Sequence, residues 1–267
     1  MTSVRIPKDD AEAQLLVESD NENESPKRTA QQSSQFWPRD LIGVNMSAKM
    51  GTVAAERVSI RINFLRKVLG IVSFQLLLTI GICTAIYCTP GSKDFLKAQS
   101  WIVFPSLFVS IGLLIGLHVN AHEVPINYVL LAAFTSVQAL TLGCIVVLFQ
   151  VQVILEAAIT TMLVVFGLFM YTLQSKKDFS VGYATSFSLL GCLLAASFVQ
   201  IFVMSSAFNF ILNVFGAGVF CVLLVLDLDA IMMRMSPEDY ILACIALYMD
   251  IINLFVRILQ ILGEGSK

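Results

Sequence analysis

The chain has 267 residues, 57% apolar and only 13% charged, with a mean hydropathy of +0.80, which excludes an ordinary water-soluble domain. A net charge of −2 and a pI near 5.7 give none of the basic surplus that nucleic-acid binding requires. Several runs approach twenty apolar residues, so the composition predicts an all-α polytopic membrane protein.

Residues 1–50 read differently from the rest. Asp9, Asp10, Glu12, Glu18, Asp20, Glu22 and Glu24 precede Pro26-Lys27-Arg28 and a Gln/Ser tract, a composition that cannot bury a core and predicts a disordered acidic tail. No basic start with a short apolar core and cleavage site follows Met1, so the first span is expected to act as the insertion signal. The membrane domain is expected over 51–267, with spans near 69–89, 101–119, 126–148, 151–173, 180–204, 208–233 and 240–262. Arg57, Arg61, Arg66 and Lys67 flank the first span and predict a cytosolic amino-terminal side. Lys176 and Lys177, after the fourth span, fall on the same side by parity. Whether the last segment crosses fully or re-enters is left open by its sequence.

The six cysteines, Cys83, Cys88, Cys144, Cys192, Cys221 and Cys244, lie in or beside apolar runs without metal-type spacing. They read as packing residues. Gln138, Asn209 and Asn213 are expected to hydrogen-bond between helices, and Gly216 and Gly218 to let helices approach closely.

The last two runs carry the chemistry. They fold back on each other across Arg234-Met235-Ser236-Pro237-Glu238-Asp239, and each holds a carboxylate deep in apolar sequence, Asp227 in LLVLDLDAIMM and Asp250 in ACIALYMDIINLFV. An Asp at the centre of a membrane helix costs roughly 2.5 to 3.5 kcal/mol, so each needs the other, a proton, a cation or a wet cavity. If the chain turns near Ser236-Pro237, the two stand roughly 14 and 19 Å deep, a difference of about one helical turn. Antiparallel neighbours can bring them to one level, where they are expected to share a proton and titrate as a pair.

Glu156, in VILEAAITT, is a candidate second carboxylate along a cation path, against an interfacial reading in which it faces headgroups. Asp229 lies about 200° round the helix from Asp227, so it is expected to face solvent or a vestibule rather than share that face. Asn253 and Arg257, at i+3 and i+7 from Asp250, continue its face and predict a side that lines the bundle interior.

The segments INFLRKVLGIVSFQLLLT (62–79), YTLQSKKDFS (171–180) and above all MSPEDYILACIALYMDIINLFVRILQ (235–260) resemble the Bax inhibitor-1 or lifeguard family of small membrane proteins. The resemblance runs from about residue 55 to the end. It implies a seven-helix bundle with the last helix central, residence in Golgi or endoplasmic reticulum membrane, and a pH-controlled calcium leak that lowers stored calcium and restrains apoptosis. It also places the family's di-aspartyl sensor on Asp227 and Asp250. Two departures stand out. The family's Tyr-Asp-Thr around the first aspartate is Leu226-Asp227-Leu228 here, and the arginine that many members use as a latch falls on Ala121, flanked by His118 and His122 as weak substitutes.

Three functions compete at the level of sequence. In a calcium-permeable channel, Asp227 and Asp250 would supply hard oxygen ligands for Ca²⁺ as permeant or bound ion, with no other cofactor. A scaffold acting on membrane-protein or cell-death-regulator partners would use buried acids only for helix packing. An intramembrane aspartyl protease would also use two aspartates on neighbouring helices, but Asp250 follows Leu247-Tyr248-Met249 rather than Gly-x-Gly. Together with the lack of a nucleotide loop, zinc spacing or nucleophile with its base, this predicts a non-enzyme.

Overall fold

The computed structural model describes the backbone of residues 39–92, 95, 103–174 and 182–265. The chain divides into two units, Met1–Ser59 and Ile60–Lys267. The first is described only as helical backbone from Arg39 onward, so residues 1–38 of the tail expected over 1–50 lie outside the described residues, and 39–50 are helical backbone. In the second, the described residues are helices and tight connections. The helices are α1 (Arg39–Cys88, shared between the two units), α2 (Val103–Val119), α3 (Ile126–Val146), α4 (Val151–Gln174), α5 (Gly182–Val203), α6 (Ser206–Met233) and α7 (Tyr240–Gly265).

Six of them are long and apolar enough to cross a bilayer, and α2 is a shorter apolar helix. Their outer faces carry exposed Phe108, Met162, Phe187 and Phe202. In a bilayer these side chains meet lipid at no cost, so the chain is an integral membrane protein.

The connections follow from local chemistry. Between α5 and α6 the chain turns within Met204-Ser205, where Met204 takes φ +48° and the Ser205 hydroxyl accepts from the Phe208 amide to cap α6. Between α6 and α7, Ser236 caps a single 3₁₀ turn over Pro237–Asp239 that begins on proline, whose missing N–H is no loss there. Arg61 of α1 covers the carbonyls left bare at the end of α6. Its Nη1 donates to Met235 O at 2.7 Å and its Nη2 to Met233 O at 3.4 Å. Arg61, at the start of the first span, therefore stands at the same end of the bundle as the α6–α7 turn.

Helix α7 runs unbroken through 26 residues, roughly 39 Å, which exceeds the hydrocarbon thickness. It packs on α2, α3, α4 and α6, and through Tyr248 it reaches α1. Its buried residues belong to two apolar clusters. Tyr240 to Tyr248 pack with Val68, Phe134 and Leu224, whereas Leu254, Ile258 and Leu259 pack with Ala157, Leu193 and Leu212. Asp250 stands where one cluster passes to the other.

Small residues matter only where backbones or bulky groups converge. A Cβ added at Gly263 would overlap the Phe149 ring, whereas one at Gly218 would meet nothing within 4 Å. Gly263→Ala is therefore expected to cost about 1 to 3 kcal/mol through overpacking, read as a lower unfolding midpoint in detergent. Gly218→Ala should leave that midpoint unchanged or slightly raise it. Of the two glycines expected to open room for a neighbour, Gly216 does so, against Leu193 and Arg257, and Gly218 faces outward.

All six cysteines are free thiols, Cys244 fully buried, and no disulfide joins Cys83 to Cys88.

Candidate functional site

Asp227 and Asp250 approach each other across the α6–α7 seam, close enough for a hydrogen bond between their carboxyl groups when one of them holds a proton. Two carboxylates offer only acceptors, so this bond needs a proton held between them. Asp250 is 7% exposed and Asp227 half-buried between buried Leu226 and Leu228. The second Asp250 oxygen has no hydrogen-bond partner and is buried. The α6–α7 turn fixes this meeting, because Asp227 lies about 9 Å above the end of its helix and Asp250 about 15 Å into the next, with the 3₁₀ turn between them. Among the described residues no third Asp, Glu, His or Cys joins the pair to make a closed metal cluster.

The other polar residues of the spans occupy separate places. Glu156 is exposed on α4, where its Oε1 accepts from Gln152 Nε2 at 3.0 Å, one turn earlier. Asn253 turns to its own helix and donates from Nδ2 to Met249 O at 2.8 Å. Arg257 does not point to the aspartates. Its Nη1 donates to Asn213 Oδ1 at 2.9 Å, across the seam.

Asp229 departs from its sequence expectation. It is 5% exposed rather than facing solvent, and its Oδ2 lies 3.3 Å from Arg234 Nη2. The contact is an ion pair without hydrogen-bond alignment. Arg234, just past the last turn of α6, reaches back to pair with this buried carboxylate.

Sequence reading did not single out Asn127, Gln75, Thr79, Thr135 or Tyr240 among the polar residues that join α1, α3 and α7. Fully buried Asn127 donates from Nδ2 to Ala121 O at 3.0 Å and to Tyr240 Oη at 3.1 Å, and Lys67 Nζ sits 3.1 Å above the Tyr240 ring. Gln75 donates from Nε2 to Thr135 Oγ1 at 2.9 Å, and Thr79 and Tyr248 share a hydroxyl contact of 3.0 Å. The available signal was polar residues spaced through apolar runs, as in FQLLLT, which marks helix faces turned inward.

Sequence comparison agrees with this architecture. The family described as "Inhibitor of apoptosis-promoting Bax1" matches residues 61–267. The chain belongs to the Bax inhibitor-1 family. Among its relatives, the "Golgi anti-apoptotic protein" of Vaccinia virus (strain Lister) is 38% identical over 216 residues, 81% of this chain and 91% of the viral protein. "Protein lifeguard 4" of Mus musculus is 38% identical over 215 residues, 80% of this chain and 90% of the mouse protein. "Bax inhibitor 1" of Schizosaccharomyces pombe is 37% identical over 212 residues, covering 79% of this chain and 80% of its own.

In this Bax inhibitor-1 family member Ala121 is 2% exposed beneath Asn127, with no charge to offer the aspartates. The flanking His118 and His122 are both exposed, and His122 Nε2 faces Asp239 Oδ1 at 3.8 Å, an ion pair only when the imidazole is protonated. Neither histidine takes the place of a latch on the Asp227–Asp250 pair.

Proposed function

We propose that this chain is a pH-sensitive calcium leak of an intracellular membrane that lowers stored calcium and thereby restrains apoptosis. Asp227 and Asp250 are its proton-sharing sensor and its principal cation ligands. The observation that carries this reading is the close approach of the Asp227 and Asp250 carboxyl groups across the α6–α7 seam, among largely apolar packing.

The chemistry is competition. Ca²⁺ prefers six to eight oxygen ligands, and two carboxylates supply at most four. The remainder must come from water or carbonyls, so the site holds the ion weakly, as passage requires and storage does not. A proton on the pair removes the charge that attracts the cation. Falling pH therefore lowers calcium occupancy, and rising pH leaves two like charges that repel unless a cation lies between them.

The relatives named for Golgi residence, for anti-apoptotic action and as lifeguards support a Golgi or endoplasmic reticulum membrane and a role in cell survival. The basic residues around Arg61 and Lys67 support a cytosolic face for the end of the bundle that holds the α6–α7 turn. Of the other polar residues, Arg257 and Asn253 on α7 and Asp229 on α6 flank the proposed route, and Glu156 lies on the outside of α4.

The test is calcium efflux from vesicles containing only the purified protein, followed across pH. Wild type should leak with a pH-dependent rate, and the double variant Asp227→Asn/Asp250→Asn should lose that dependence. No efflux above empty vesicles at any pH would remove the leak and leave a contact-based role in its place.

A further inference from the structure

Nearer the carboxyl-terminal end of α7 lies a second polar locus that the aspartate pair does not use. Arg257 is half-buried, about 12 Å from the carboxyl-terminal end of α7 and about 10 Å along the helix from Asp250. Gly216 makes room for it, since a Cβ there would come within 3.0 Å of its Nε and 3.2 Å of its Cδ. Its hydrogen-bond partner among the described residues is the amide oxygen of Asn213, a residue with no exposed surface.

That bond fixes the amide. A guanidinium only donates, so the Asn213 oxygen must face it and the Asn213 Nδ2 must face away. The Nδ2 is buried and has no partner. One short side chain thus brings an unused amide donor beside a guanidinium that has four further N–H groups.

Asp250 and Glu264 each keep one buried oxygen without a hydrogen-bond partner, but among the described residues neither carboxylate pairs with Arg257. Asp250 faces Asp227. Glu264, two turns beyond Arg257, accepts on Oε1 from Asn209 and forms no ion pair with the guanidinium. A water would satisfy the amide but would bring no negative charge to a guanidinium that no carboxylate among the described residues contacts, at a depth where an unpaired ion costs several kcal/mol. An anion does both.

We propose that Asn213 and Arg257, in the space left by Gly216, form a binding site for an anion, held by the Asn213 Nδ2 and the guanidinium together. The same chemistry suits a free halide or a lipid phosphate. This site goes beyond the calcium leak and does not rest on it.

The full-length protein in neutral detergent, with chloride exchanged for gluconate at fixed ionic strength, gives the test. The unfolding midpoint of wild type should be roughly 2 to 4 °C higher in chloride, the shift produced by a ligand present at a few times its Kd. Arg257→Gln and Asn213→Ala should unfold at one temperature in both salts, and Gly216→Ala should show a reduced shift. Asp227→Asn and Asp250→Asn should keep the full shift, which separates this site from the aspartate pair. Chloride-35 resonance broadening, present with wild type and lost with Arg257→Gln, reads binding without relying on stability. If phosphatidylglycerol added in gluconate reproduces the shift and chloride does not, the anion is a headgroup phosphate. Equal midpoints for wild type in chloride, gluconate and added phosphatidylglycerol, with no excess broadening, would leave only water there and overturn the proposal.

Discussion

Asp250→Asn should fold, reach the membrane and carry calcium, yet lose most of the pH dependence of efflux that wild type shows. The asparagine amide can donate permanently to Asp227, reproducing the hydrogen bond that the shared proton supplies in the native pair. The variant is thus fixed in the singly protonated arrangement, with one negative charge where wild type gains a second as pH rises. Its calcium occupancy should be reduced at high pH and close to that of wild type where the pair holds its one proton. The measurement is the ratio of efflux rates at high and low pH in vesicles, expected to fall roughly 5- to 30-fold toward unity if the lost charge is worth about one to two kcal/mol of cation attraction. A ratio equal to that of wild type would show that the pair does not sense protons, whatever its geometry.

Asp227→Asn should act in the same direction with a smaller structural effect, because Asp227 is half-buried and Asp250 nearly fully buried. Asp250→Leu differs in kind. It leaves Asp227 without its hydrogen-bond partner in apolar surroundings, where removing one member of a buried polar pair strands the other. Comparing the Asn and Leu variants separates loss of a proton-binding group from loss of the bond that joins α6 to α7.

The meeting of the two aspartates was legible in the sequence because three local signals agreed: an apolar run on each side, a Ser-Pro break between them, and acids at similar counted depth. Helix arithmetic converts those signals into position with little help from tertiary structure. Asp229 was not legible in that way. Its burial depends on Arg234 folding back from a turn whose backbone course the sequence did not give. The start of α1 was also hidden, since hydropathy marks where a span begins at Leu69 but not where helical backbone begins, at Arg39. Arg61 and Lys67, which read as flank charges, hold a helix end and an aromatic ring, roles set by which residues lie opposite them in space. Arg257 shows the same limit. Its helical face was correct, yet its partner came from α6, through an asparagine whose side chain only the packed seam could orient.

Tyr248→Ala should destabilise the bundle by about 2 to 4 kcal/mol. Tyr248 has no exposed surface, stands edge-on to Phe134 at 6.5 Å between ring centroids, and meets Thr79 Oγ1 at 3.0 Å. Thr79 uses its single proton on Gln75 O, so the tyrosine hydroxyl is the donor. Within a bilayer the helices gain little from hydrophobic transfer, and the loss is one of close packing and a buried hydrogen bond, which places the expected cost below the upper range for soluble cores. Tyr248→Phe should cost only ~1 kcal/mol, because it keeps the ring and removes one bond. Tyr248 and Asp250 point about 200° apart on α7, one toward α1 and α3 and the other toward α6. The unfolding midpoint of Tyr248→Ala should therefore fall well below that of Tyr248→Phe, while the protein that remains folded keeps its pH response. If Tyr248→Ala instead lost the pH response at temperatures where it is fully folded, the position of Asp250 would depend on the far side of α7, and the sensor would have to be drawn as the whole helix rather than as two acids.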